Sequence, residues 1–164
     1  MVFGWLFGEK KQKGTAVPEP DALMAQADEA TRAKDVLRGE ALCRDLVRTS
    51  PDNAEAWTML GVNLIRRDIA DPDVRAEAVV AWMRALALKS GDSRAGDHLR
   101  VEIQYPDELV SPLVRRLEEP SPAGDAAAGA LGQIGEKSRP AVEVAAGGQG
   151  PAAERARTLL ATMR

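Results

Sequence analysis

Few residues of this chain are of the types that do chemistry, and they do not combine. His98 is the single histidine and Cys43 the single cysteine. One imidazole cannot form a His-pair metal site, and it gives no basis for a Ser-His-Asp network. One thiol excludes an internal disulfide and a Cys-rich metal site. His98, beside Asp97, reads as a surface residue, and Cys43 as a small buried hydrophobe. Asp68, Asp71 and Asp73 have a spacing at which carboxylates can hold calcium. However, Pro72 interrupts the run and no Gly or distal Glu follows where a calcium loop needs one, so a solvated turn is the better reading. Gly147-Gly148-Gln149-Gly150 has no Lys-Ser or Lys-Thr after it and no strand before it, so it is not a phosphate loop. The expectation is a chain without catalytic residues, cofactor, metal or small-molecule substrate.

Charge excludes another class. Positions 1–20 carry three lysines and two glutamates, positions 21–105 carry 12 basic and 15 acidic side chains, and positions 106–164 carry 7 and 8. No block has the basic excess that phosphate backbones select, so nucleic acid is not an expected partner. No apolar run approaches the ~18 residues of a membrane span. At the N-terminus the apolar residues come first and the lysines follow, the reverse of a secretory signal. A cytoplasmic location is the expectation.

The N-terminal segment concentrates the aromatics. Phe3, Trp5 and Phe7 include both phenylalanines of the chain and one of its three tryptophans, and Lys10, Lys11 and Lys13 come next. Three readings stand. The segment is disordered or packs on the chain's own helices; it docks into a partner's groove; or it makes weak, peripheral membrane contact, with rings at the headgroup level and lysines near anionic lipid. Gly14 to Pro20 reads as a flexible linker. Residues 1–20 are thus a tail.

The elements beyond it are helical. Strand formers are nowhere concentrated in alternation, and Ala and Leu abound. Asp21 is a plausible N-cap, followed by a helix or helix–turn from Ala22 to about Arg38 and a second helix from Gly39 to Thr49, with a break at Ser50-Pro51-Asp52-Asn53. The best-marked stretch is 54–90, with Trp57, Leu60 and Gly61, then Ala78, Trp82 and Ala85. It resembles one tetratricopeptide repeat, W-x2-L-G-x2-Y then A-x3-F-x2-A. Laid on itself at that repeat's period, the chain puts Leu23 on Trp57, Ala27 on Gly61 and Ala30 on Leu64. Gly39, Cys43 and Leu46 match Ala78, Trp82 and Ala85 with a five-residue insertion, expected in the turn around Asp68–Asp73. Residues 20–53 are then a degenerate copy, and 92–102 a closing helix that ends before Tyr105-Pro106. Trp57 and Trp82 are expected in the core.

Residues 106–164 look different. A run from Leu109 to Pro122 leads into Ala126-Ala127-Ala128-Gly129-Ala130-Leu131-Gly132-Gln133-Ile134-Gly135. A second copy follows at a constant offset, with Pro140 on Pro112, Val142 on Val114 and Leu159 on Leu131. This resembles short HEAT-like repeats of the type found in relatives of bilin lyases. Ala123-Gly124-Asp125 stands where that family has Val-Arg, and the lyase activity of some relatives is not implied, because the repeat alone is a scaffold. Leu113, Leu117, Leu131, Ile134, Val142, Leu159 and Leu160 supply a thin core.

Together the resemblances imply an all-α, right-handed α-solenoid: tetratricopeptide-like over 21–105, HEAT-like over 106–164. They also imply a concave groove lined by first helices, with Met24, Asp28, Thr31 and Arg32 in one repeat and Thr58, Val62, Ile65 and Arg66 in the next. Val62 stands where relatives that clamp a C-terminal carboxylate carry Asn, so a mixed apolar–basic groove for a peptide or helix is expected instead. The implied work is protein–protein interaction, as an adaptor or assembly subunit, with a membrane-peripheral scaffold as the alternative.

Overall fold

The computed structural model describes residues 19–163, and among them there are helices and no strands. Nine α-helices follow one another among these residues: α1 (Pro20–Arg32), α2 (Val36–Thr49), α3 (Ala54–Arg67), α4 (Pro72–Leu88), α5 (Ser93–Glu102), α6 (Val110–Arg116), α7 (Ala123–Ile134), α8 (Arg139–Ala146) and α9 (Pro151–Thr162). Single 3-10 turns, Pro106–Glu108 and Gly135–Lys137, precede α6 and α8. Each helix from α1 to α5 packs on the next, α6 packs on α7 and α8 on α9, and α4 also packs against α6 and α7, which joins the first five helices to the last four.

Helix starts in the first half are set by short polar side chains. Asp35 accepts from Arg38 N–H, Asn53 from Ala56 N–H, Asp71 from Asp73 and Val74 N–H, and Asp92 from Arg94 and Ala95 N–H. Each satisfies donors that the first turn leaves open. Three boundaries differ from the sequence expectation, the first of them without any side-chain cap bond. The first helix starts behind Glu19, which stands at the N-cap, and Asp21 is already inside the first turn. It stops at Arg32, because Lys34 takes a left-handed φ of 59° and Asp35 begins α2, so Gly39 lies inside a helix instead of starting one. The extra residues before Trp82 do not swell the turn. Asp71 and Pro72 launch α4 early, and the insertion lengthens that helix to 17 residues.

Gly39 and Gly61 mark close approaches. A Cβ on Gly61 would lie 2.4 Å from Nε1 of Trp82, and one on Gly39 would lie 2.7 Å from Oδ1 of Asn63. Trp82 is 1% exposed, donates its indole N–H to Thr58 O at 3.2 Å and is stacked by His98 with ring centroids 5.0 Å apart. Trp57 corrects its expected core placement. It is half-buried, its N–H donates to Pro51 O at 2.9 Å, and the Arg84 guanidinium lies over its ring at 5.4 Å.

In the second half α7 and α9 begin and end at the same offset that sets Pro140 on Pro112. Each is preceded by a 3-10 turn and a short helix, so the repeat includes turns that the sequence pattern did not reveal. The Ala-rich helix opens at Ala123, three residues before its alanine run. Gly124 is required there: a Cβ would meet Glu119 O at 2.4 Å and the Arg155 guanidinium at 2.7 Å. Arg155 crosses from α9 to bond Leu117 O and Asp125, holding the two hairpins together. Leu113, Leu117, Leu131 and Val142 are fully buried and Leu159 nearly so, while Ile134 and Leu160 are half-buried at the edge of this core.

Candidate functional site

The expected groove residues are placed as follows. On α1, Asp28 and Arg32 pair with each other one turn apart, while Met24 and Thr31 are half-buried. Thr31 is tied to α3 twice: its hydroxyl accepts from Asn63 Nδ2 at 3.0 Å, and its carbonyl accepts from Arg66 Nη1 at 2.8 Å. Val62 and Ile65 are half-buried against the core. Thr58 does not face a groove. It is 2% exposed and its hydroxyl lies 3.1 Å from Oδ2 of Asp92, because the cap of α5 reaches back over α3. Glu55, on the same turn of α3, pairs with Arg94 of α5. The structure thus brings Thr31 and Arg66 together, and beside them Asp28 pairs with Arg32 and Glu55 with Arg94. Phe3, Trp5 and Phe7 lie outside the described residues.

Asn63 is the residue that sequence reading passed over. It is fully buried, with Nδ2 donating to Met59 O at 3.0 Å and lying 3.8 Å from Cys43 Sγ. Its work is structural, fastening α3 to α1 and α2 above Gly39. Cys43 is buried, and burial pushes its thiol up to about 11 despite the Asn63 contact, so it is protonated and unreactive near neutral pH. The aspartates at 68, 71 and 73 are spent locally: Asp68 accepts from Ala70 and Asp71 N–H, Asp71 caps α4, and Asp73 pairs with Arg115. Among the described residues no group of three His, Cys, Asp or Glu is placed to hold a metal ion. His98 is exposed except where it covers Trp82.

Among the described residues, three open clefts stand out. One of about 530 Å³ runs between α7 and α9, past Asp125, Gly129, Arg155 and Thr158. One of about 380 Å³ lies between α6, α8 and α9 and includes Val144. The third, of about 440 Å³, sits where α4, α5 and the 3-10 turn at 106–108 meet. The large exposed apolar side chains distinguish them. Of six large apolar side chains left open among the described residues, Ile69 (62%), Val101 (56%) and Tyr105 (67%) all line this third cleft.

The floor of the cleft is ionic. Arg75 is 7% exposed; its Nε donates to Glu102 at 2.9 Å, and its Nη1 donates to Glu108. Glu102 is equally buried, whereas Glu108 is 67% exposed, and Asp107 and Lys137 line the same cleft. This pair fixes the junction of α4 with α5, and so the spacing of Ile69 from Val101 and Tyr105.

In comparisons with known proteins, no family model, no curated protein and no solved structure matches the chain. Among the described residues no helix is long and apolar enough to cross a membrane.

Proposed function

We propose that the chain is a non-catalytic protein-binding module, an adaptor or assembly subunit. In this reading its helices form a right-handed solenoid, tetratricopeptide-like over residues 21–105 and HEAT-like over 106–164. The observation that carries the proposal is the convergence of Ile69, Val101 and Tyr105 on one cleft over a rigid ionic floor. Aromatic and branched side chains around a ligand-sized cavity are what an extended peptide or a helix anchors on. The cleft replaces the α1–α3 face as the preferred contact. Thr58 is buried, and Asp28, Arg32 and Arg66 are engaged within the chain.

The test is affinity capture with the full chain, with a Val101→Asp/Tyr105→Asp variant and with a Val144→Asp control. A specific partner should be retained by the first and third and reduced about tenfold or more in the second, in line with loss of a hot-spot pair. Equal retention by all three would remove the cleft from the function. A second reading, a peripheral membrane scaffold, is favoured by the Phe3/Trp5/Phe7 cluster followed by three lysines. So short a segment buries too little for firm anchoring, and the prediction is weak co-sedimentation with anionic vesicles, lost in a Phe3/Trp5/Phe7→Ala variant. Binding that survives the triple substitution would end that reading.

A further inference from the structure

We propose that the cleft of Ile69, Val101 and Tyr105 seats the chain's own N-terminal segment, residues 1–13, in cis. This rests on reading the cleft as a docking surface and goes further by naming an occupant.

The chemistry matches in two parts. The segment offers Phe3, Trp5, Leu6 and Phe7, and then Lys10, Lys11 and Lys13. The cleft offers three exposed apolar side chains next to carboxylates. Arg75 is already saturated by Glu102 and Glu108. Among the charged side chains that line the cleft, Glu102, Asp107 and Glu108 stand against Arg75 and Lys137, three acidic to two basic, a net charge of −1. Exposed apolar side chains with a small negative excess suit an aromatic run followed by lysines. The larger cleft between α7 and α9 offers none of the exposed large apolar side chains, and the smallest offers Val144 alone.

Reach is sufficient. The Thr31–Arg66 and Thr58–Asp92 bonds show that α1, α3 and α5 run parallel. The cleft therefore lies at the opposite end of the helices from Pro20. That offset is about 21 Å along a 14-residue helix. About two helix spacings, or roughly 20 Å, separate α1 from α5. The two combine to about 30 Å. From Glu19 back to Phe7 is twelve residues, which span up to about 40 Å when extended. Tethering supplies the rest of the affinity. At an effective concentration on the order of millimolar, an intrinsic Kd on the order of millimolar leaves the cleft about half occupied.

Cys43 is buried and protonated, so engineered thiol pairs in the full chain report the contact without interference. Gly8→Cys is combined with Gln104→Cys at the cleft or with Val144→Cys on the far half, and intramolecular disulfide formation is timed under mild oxidation. Closure should be about tenfold faster with the thiol at position 104 than with the one at 144, and should fall to the slower rate when Phe3, Trp5 and Phe7 are all replaced by Ala. Equal rates at the two positions, or a rate indifferent to the aromatics, would overturn the proposal. Closure that appears only as concentration-dependent dimers would transfer the segment to a second copy and overturn binding in cis. The two readings separate cleanly. If capture of a partner still depends on Val101 and Tyr105 while the disulfide shows no selectivity, the segment is not the occupant and the module reading survives.

Discussion

Replacing Trp82 by Ala should destabilise the protein by about 3–5 kcal/mol, the range for removing a large buried aromatic. The indole is the largest fully buried side chain among the described residues. It lies over Gly61 between α3 and α4, is held by the Thr58 carbonyl, and is covered on one face by His98. Its loss opens a cavity at the helix pair on which α5, α6 and α7 also rest. For a chain of this size that corresponds to a melting temperature lower by about 10 °C or more. The partner residue gives a sharper test. Gly61→Ala alone should cost about 1–3 kcal/mol, because its Cβ would be driven against the ring. In the Trp82→Ala background the same change should cost much less, since the obstacle is gone. Urea unfolding of the four proteins closes the cycle. Additive effects would mean that the glycine is there for some reason other than the tryptophan.

The second large effect concerns Arg75. Arg75→Met leaves the Glu102 carboxylate buried without its cation, an outcome that costs about 3–5 kcal/mol when one member of a buried pair is removed. Arg75→Met/Glu102→Leu removes both charges, fills the space with apolar groups and should recover most of the loss. Glu108→Gln should cost less than about 1 kcal/mol, because that side chain is mostly in water. Chemical denaturation of these variants decides the matter. An Arg75→Met protein as stable as the parent would mean that Glu102 is not confined as described. The same single substitution should also loosen the cleft, since Arg75 ties the α5 end carrying Val101 to the start of α4.

What could be read from the sequence was whatever depends on neighbours along the chain. The helical class, the breaks at Ser50–Asn53 and near Pro106, the need for a small residue at Gly61 and the even spacing of the last two hairpins are local or periodic signals. Boundaries slipped where a cap outcompeted a pattern: Asp35 and Asp71 start their helices earlier than the apolar register suggests. The cleft was not legible, because it is assembled from residues 69, 75, 101–108 and 137, and periodicity tells which face of a helix is apolar but not whether anything covers it. Thr58 was misplaced for the complementary reason. Its exposure was inferred by resemblance, and it took the reach of Asp92, distant along the chain, to bury it. Asn63 resembles a surface amide in sequence; only the glycine opposite it in α2 makes room for it inside.

The helix caps carry a consequence for acid. Burial works against the charge on Asp92, but the Ala95 N–H, the Thr58 hydroxyl and nearby Arg94 together hold its carboxyl below the usual range. Its contribution is therefore complete above the ordinary carboxylate pKa near 3.8 and fades as pH falls through the lower folded value. Asn53, by contrast, holds α3 with an amide oxygen that no proton neutralises in this range. Acid thus acts on one anchor before its neighbour: the first turn of α5 frays and exchanges its amide hydrogens, while α3, against which that cap rests, keeps its beginning.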